Sequence, residues 1–330
     1  MSKPDKLKKL TQLFREHFQE EPIAMEVVAS HASVRLYYKI TSENHQVLGT
    51  VGPNPEENRA FIALSHHLGS VDLSVPKVLV CDDDQDCYIQ EYVSDQDLRQ
   101  FLQKADSGLA WPILRQVMDT LVDFQVRAHK GWDYDQSYPH AAFDENEIIR
   151  DVKRLFDFVI VGNLPITLED LRVDQENLIA QVSKIAPDQQ VLIHRDFQNR
   201  NILIRDDKVV LIDFQGARRG PLHYDLVSFL YDPDAGLDKD TQTSLLNYFI
   251  SKKGNLGEDF DKNFRIVAVA RLVQVMGSYG VAIQQHNKQD FVPKLKQAAV
   301  NLQENLSHLR QDFDIDFPCL DQVAKLIINA

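Results

Sequence analysis

Cysteine is nearly missing from this chain of 330 residues: Cys81, Cys87 and Cys319 are all it has. An odd count with no C-x-x-C pair argues against a zinc ribbon or a disulfide framework and points to reduced thiols in a reducing compartment. Basic charge is also short. Thirty-six Lys and Arg stand against 49 Asp and Glu, a formal net charge of −13. That balance speaks against a large nucleic-acid or anionic-membrane footprint and reads mainly as solubility, with tolerance of cationic ligands. The opening MSKPDKLKKLTQLF starts basic but never develops the apolar run of a secretory signal. The most apolar stretch, IVAVARLVQVMGSYGVAI, is interrupted by Arg271 and Gln274 and reads as a buried helix. A cytoplasmic protein with no nucleic-acid or membrane partner is expected. Wholesale disorder is excluded by 44% apolar and 26% charged residues.

The chain carries no internal repeat, but its texture changes near residue 93. Leu7, Leu10, Phe14 and Phe18 recur at helical spacing before Pro22. Short β-type runs follow, AMEVVAS, RLYYKI and QVLGTVG, then a helix with Phe61, Leu64 and Leu68 on one face. PKVLVC and CYIQEYV flank the turn signal Asp82-Asp83-Asp84-Gln85-Asp86. After Asp95 the periodicity is helical, apart from one β island around residues 191–214 with a hairpin turn at Arg205-Asp206-Asp207-Lys208. The pattern predicts a small β-rich lobe over residues 1–93 and a larger, mostly helical lobe over 94–330, with a cleft where they join.

His194-Arg195-Asp196-Phe197-Gln198-Asn199-Arg200-Asn201 is the strongest chemical signal. It matches the catalytic-loop pattern H-R-D-x-x-x-x-N of kinases, in which a carboxylate reaches an acceptor hydroxyl and an amide oxygen five residues on ligates magnesium. Asp213 follows at the end of an apolar strand, where a D-F-G aspartate bridges metal and phosphates; Gln215 stands in place of the glycine. One such turn is commonly an ordinary loop with a buried ion pair. Three polar positions at kinase spacing, each framed by apolar strands, are not.

With these residues, and with the wording HRDFQNRN…LIDFQGARRGPLHYDLVSFLYDP, the chain resembles the aminoglycoside phosphotransferase/choline kinase family, and within it the bacterial branch of N-acetylmuramate and N-acetylglucosamine kinases. The resemblance is specific over about residues 191–233 and looser over 26–93. It implies an α+β, two-lobed, protein-kinase-like fold with an antiparallel β-rich N-lobe, and ATP- and Mg²⁺-dependent transfer to a hydroxyl of a small metabolite. It makes Asp196 the base and Asn201 and Asp213 the metal ligands. His194 is expected to be scaffold. Asp225 reads either as a carboxylate at a helix N-terminus or as a brace for the catalytic loop. Arg200 reads as a phosphate or substrate contact, or as an exposed loop residue.

The nucleotide lobe departs from the family pattern. The expected phosphate loop, Ser30-His31-Ala32-Ser33-Val34, has no glycine, so Ser30 and Ser33 are left to serve. The third strand, Gln46–Val51, lacks the usual lysine. Strand alternation puts Ser33, Arg35, Tyr37 and Lys39 on one face, offering Arg35 or Lys39 as the replacement cation; a solvated polar face explains that pattern equally. By resemblance to the kinase helix glutamate, Glu57 or its neighbour Glu56 is the expected partner of that cation. Gln90 and Tyr92 flank the junction where the family lays adenine against backbone. A sugar or amino sugar is the expected acceptor, with an aminoglycoside, choline or ethanolamine as alternatives. A regulatory pseudokinase is the competing class. A protein kinase is set aside, because the path from Asp213 to Tyr224 leaves no room for an activation segment.

Overall fold

The computed structural model describes residues 3–28, 35–254 and 256–330. The chain opens with α1 (Lys3–Phe18), β1 (Ala24–Val28), β2 (Leu36–Thr41), β3 (Gln46–Val51), α2 (Pro55–Ser70), β4 (Val78–Cys81) and β5 (Cys87–Glu91). Next come α3 (Leu98–Leu102), α4 (Ser107–Asp123), α5 (Glu145–Leu155), α6 (Leu168–Val182), β6 (Gln190–Ile193), β7 (Ile202–Arg205), β8 (Lys208–Leu211) and β9 (Arg218–Pro221). Then α7 (His223–Leu230), α8 (Lys239–Lys253), α9 (Phe260–His286), α10 (Val292–Phe313) and α11 (Pro318–Asn329) complete it. Two compact units result: Met1–Ala141 with His194–Arg218, and Ala142–Ile193 with Arg219–Ala330. The first unit therefore runs on past residue 93 and takes in the catalytic-loop segment.

In the first unit the strands form one antiparallel sheet in the order β1-β2-β3-β5-β4. Period-two alternation gives this sheet two different faces. Tyr38, Ile40, Val47, Val51, Cys87 and Ile89 pack with Leu10 and Phe14 of α1 in one apolar cluster. Gly49 lets the helix come that close: a Cβ there would lie 2.7 Å from Leu10 Cδ2. Residues of opposite parity, among them Tyr37, Leu48, Thr50, Tyr88 and Gln90, are left for the other face. There α2 begins at Asn54, whose side chain accepts from the Glu56 and Glu57 N–H groups. Phe61 of α2 stacks between Tyr88 and Phe214, at centroid distances of 5.2 and 4.7 Å.

The β7–β8 hairpin turns on Asp206 and Asp207, with φ of 51° and 58°, the left-handed pair that a two-residue hairpin loop requires. Backbone bonds from Ile204 N to Gln96 O (2.9 Å) and from Leu211 N to Ser74 O (3.0 Å) tie the hairpin to the rest of this unit.

In the second unit β6 pairs with β9, and helices surround α9. By length and composition α9 could cross a membrane. In this structure Ile266, Val267, Val269 and Leu272 are buried in its packing, as the interrupted apolar run predicts. Asp174 of α6 accepts the Leu320 N–H at 2.8 Å, capping the start of α11.

Candidate active site

A cavity of about 610 Å³ opens within the first unit, a size suited to a small-molecule ligand. The sheet and α2 contribute Val28, Tyr37, Leu48, Phe61 and Gln90 to its wall; the catalytic segment contributes Asp196, Arg200, Asn201 and Asp213. The spacing in sequence thus becomes proximity in space.

Local bonds explain the loop. His194 is fully buried, with Nε2 3.0 Å from the Ile212 carbonyl. Asn201 donates Nδ2 to the Asp196 carbonyl at 2.8 Å. That bond spends the amide NH₂ on the loop and keeps the amide oxygen for a ligand. The Asn201 carbonyl accepts from Ile212 N at 3.0 Å, which joins the loop to the residue before Asp213. Gln215, read from sequence only as a missing glycine, donates Nε2 to Asp213 Oδ1 at 2.8 Å and orients that carboxylate. Arg195 and Asp213 hold φ of +82° and +63°, a left-handed strain that proteins retain mainly at functional positions.

The donor set fits a hard cation: one carboxylate oxygen pair and one amide oxygen, all oxygen ligands. Among the described residues no three His, Cys, Asp or Glu group as a metal site. A magnesium ion carried on nucleotide phosphates needs only one or two protein oxygens.

The two candidate cations separate. Arg35, 2% exposed, is 3.4 Å from the Glu57 carboxylate and lies over the Phe61 ring at 5.6 Å. Lys39 reaches Asp95 at 3.1 Å and the Tyr92 hydroxyl at 3.2 Å, and sits over the Tyr92 ring at 4.2 Å. Those partners hold its ammonium above the usual pKa, Tyr92 most strongly. Neither Arg35 nor Lys39 lines the cavity; Glu57 and Tyr92, their partners, do. Alternation grouped Arg35 with Lys39; in the structure Arg35 meets Glu57 and Lys39 meets Asp95.

Gln90 is buried, with Nε2 3.3 Å from Thr50 Oγ1 and Oε1 lacking a hydrogen-bond partner among the described residues. Its neighbour Tyr88 is fully buried, and that burial drives its hydroxyl pKa well above the ordinary range. Ser30 and Ser33 lie outside the described residues. Asp225 belongs to the second unit, buried in the first turn of α7.

An antiparallel sheet, with Asp196 and Asn201 just before a β-hairpin and Asp213 just after it, has the layout of a kinase-like phosphotransferase. The chain belongs to the phosphotransferase enzyme family, whose profile matches residues 25–258, and with it to the small-molecule kinases. It is 25% identical over 228 residues to an N-acetylmuramate/N-acetylglucosamine kinase of Pseudomonas putida, spanning 68% of this chain and 64% of that protein. The enzyme of the same description from Pseudomonas aeruginosa is 24% identical over 78% of this chain and 76% of its own. Among solved structures, an amicoumacin kinase in complex with AMP-PNP and Ca²⁺ superposes with a TM-score of 0.70 at 12% identity, covering 92% of this chain and 94% of that one. A choline kinase from Streptococcus pneumoniae gives 0.61 at 13% identity, covering 92% and 100%. These superpositions establish the fold.

Proposed function

We propose that the protein transfers the γ-phosphoryl group of ATP, as its magnesium complex, to a hydroxyl of a sugar or amino sugar. One observation carries the chemistry: Asp196, Asn201 and Asp213 share the wall of one cavity with Gln90 and Tyr92. The acceptor class rests on the two Pseudomonas kinases.

In this reading Asp196 takes the acceptor's proton as the new O–P bond forms and the bond to the ADP leaving oxygen breaks. Asn201 and Asp213 offer their oxygens to the magnesium ion, which when bound supplies charge neutralisation between the phosphates. Gln215 keeps the Asp213 carboxylate in one orientation, and Arg35 does the same for Glu57. Leu48 and Tyr37 offer the adenine ring an apolar surface in the cavity wall.

The test is a phosphotransfer screen over N-acetylated amino sugars, aminoglycosides, choline and ethanolamine, with the product position mapped by ³¹P NMR. Phosphorylation of an amino sugar, lost by about 10²–10⁴-fold in Asp196→Asn while nucleotide still binds, supports the reading. Turnover confined to choline or an aminoglycoside replaces the acceptor. Nucleotide binding without turnover on any compound makes the protein a pseudokinase.

A further inference from the structure

The charges around the cavity do not suit a triphosphate as they stand. Six carboxylates line it, Glu57, Glu91, Asp95, Asp97, Asp196 and Asp213, against two guanidiniums, Arg99 and Arg200. The other nearby cations are committed elsewhere: Arg35 to Glu57, Lys39 to Asp95 and Tyr92. Arg99 is 3.2 Å from Asp97, the residue that caps its own helix. Arg200 differs. Among the described residues its guanidinium has no ion-pair or hydrogen-bond partner, and its side chain is exposed at the cavity wall. It sits on the short turn Asn199–Asn201, flanked by two buried asparagines. The Asn201–Asp196 hydrogen bond holds that turn shut.

We propose that Arg200 is the cation that meets the transferred phosphoryl group, an arginine supplied in cis from the catalytic loop itself. This rests on the phosphotransferase reading above and places a cation at the γ end of the nucleotide, distinct from the α/β-phosphate position of the usual third-strand lysine. When the γ-phosphorus passes from the ADP oxygen to the acceptor oxygen, negative charge spreads over its equatorial oxygens, and the acceptor proton moves to Asp196. A planar guanidinium one residue before a metal-ligating amide can grip two of those oxygens at once. With no partner among the described residues, it has no ion pair to break there first. Arg35, buried behind Glu57, then supports the site and does not touch phosphate.

The experiment measures calorimetric affinities for Mg·AMP-PNP and Mg·ADP in the full chain and in Arg200→Ala, Arg200→Lys and Arg205→Ala. No acceptor is needed. Arg200→Ala should weaken AMP-PNP about tenfold or more and leave ADP within about twofold, with Arg200→Lys between. Where turnover is measurable, kcat should fall about 10²–10³-fold. Arg205, exposed at the end of β7 and outside the cavity lining, is the charge control and should change neither affinity. If Arg200→Ala weakens both nucleotides equally, or spares both and raises only the acceptor KM, the assignment falls and the phosphotransferase reading stands. If the unaltered protein binds neither nucleotide, that reading fails and takes this one with it.

Discussion

Arg35 Nη2 lies 3.4 Å from a Glu57 carboxylate oxygen and 3.1 Å from the Glu57 main-chain carbonyl. The arginine is buried and the glutamate lines the cavity, so the pair links the start of β2 to α2 just behind the cavity wall. Removing one member of a buried pair costs about 3 kcal/mol or more. Arg35→Ala should therefore lower the melting temperature as well as raise the KM for ATP. Arg35→Lys keeps the charge without the fork and should recover part of both. Unchanged melting with an ATP defect would return Arg35 to direct phosphate contact.

Gln215→Ala removes the hydrogen bond on Asp213 Oδ1 without touching the core. Outer partners of metal-binding groups commonly contribute about 10–100-fold in metal affinity or activity. A Mg²⁺ titration of turnover should shift to higher concentration by that order, with stability unchanged. A titration curve that overlays the parent's would show that Asp213 needs no such support.

Gln90 Oε1 is buried without a partner among the described residues, and an unsatisfied buried acceptor costs about 1–3 kcal/mol. Gln90→Met should raise the melting temperature while narrowing the difference in affinity between ATP and GTP. A gain in stability with base preference intact would make the amide a structural remnant.

Burial lifts the Asp174 carboxyl from 3.8 to about 6, against the Leu320 and Cys319 N–H groups that favour its charge. The folded state then binds this proton more tightly than the unfolded chain does between pH 4 and 6. This group's contribution to stability is full below about pH 4 and is lost as pH rises through 6. Asn in its place still accepts a hydrogen bond and does not titrate. Asp174→Asn should be more stable at pH 7, by on the order of 1–3 kcal/mol, and the two proteins should converge toward pH 4. Denaturant unfolding at pH 4, 5, 6 and 7 checks this; a gap independent of pH would contradict it.

The sequence was legible where local chemistry decides structure. The Asp206-Asp207 turn announces its hairpin because few residues accept two positive φ angles in a row. The nearness of Asp196, Asn201 and Asp213 in one cavity wall is legible because apolar strands frame the short polar loops that carry them. Strand β9 was not foreseen: Arg218-Arg219-Gly220-Pro221 shows neither alternation nor β-branched residues, and its pairing with β6 comes from tertiary position. Nor could alternation tell that Arg35 lies behind the cavity wall while Glu57 lines it. Period two assigns a face, not a depth. The Gln215 clamp escaped for another reason: a substitution away from a familiar glycine signals loss, and the compensating bond is visible only in three dimensions.

The packing of α1 on the sheet also sets an order of events during synthesis. Leu10 and Phe14 find their partners partly on β5, at Cys87 and Ile89, so the helix leaves the ribosome well ahead of its seat. At typical elongation of about 5–20 residues per second, roughly 4–15 s pass before β5 is complete. Through that interval an amphipathic helix with an uncovered apolar stripe must be shielded or remain loosely coiled. Gly49, which admits the helix at close range, then governs whether the late docking step succeeds. A bulkier residue there would leave the sheet's apolar face open to other nascent chains, a hazard for yield before it is one for catalysis.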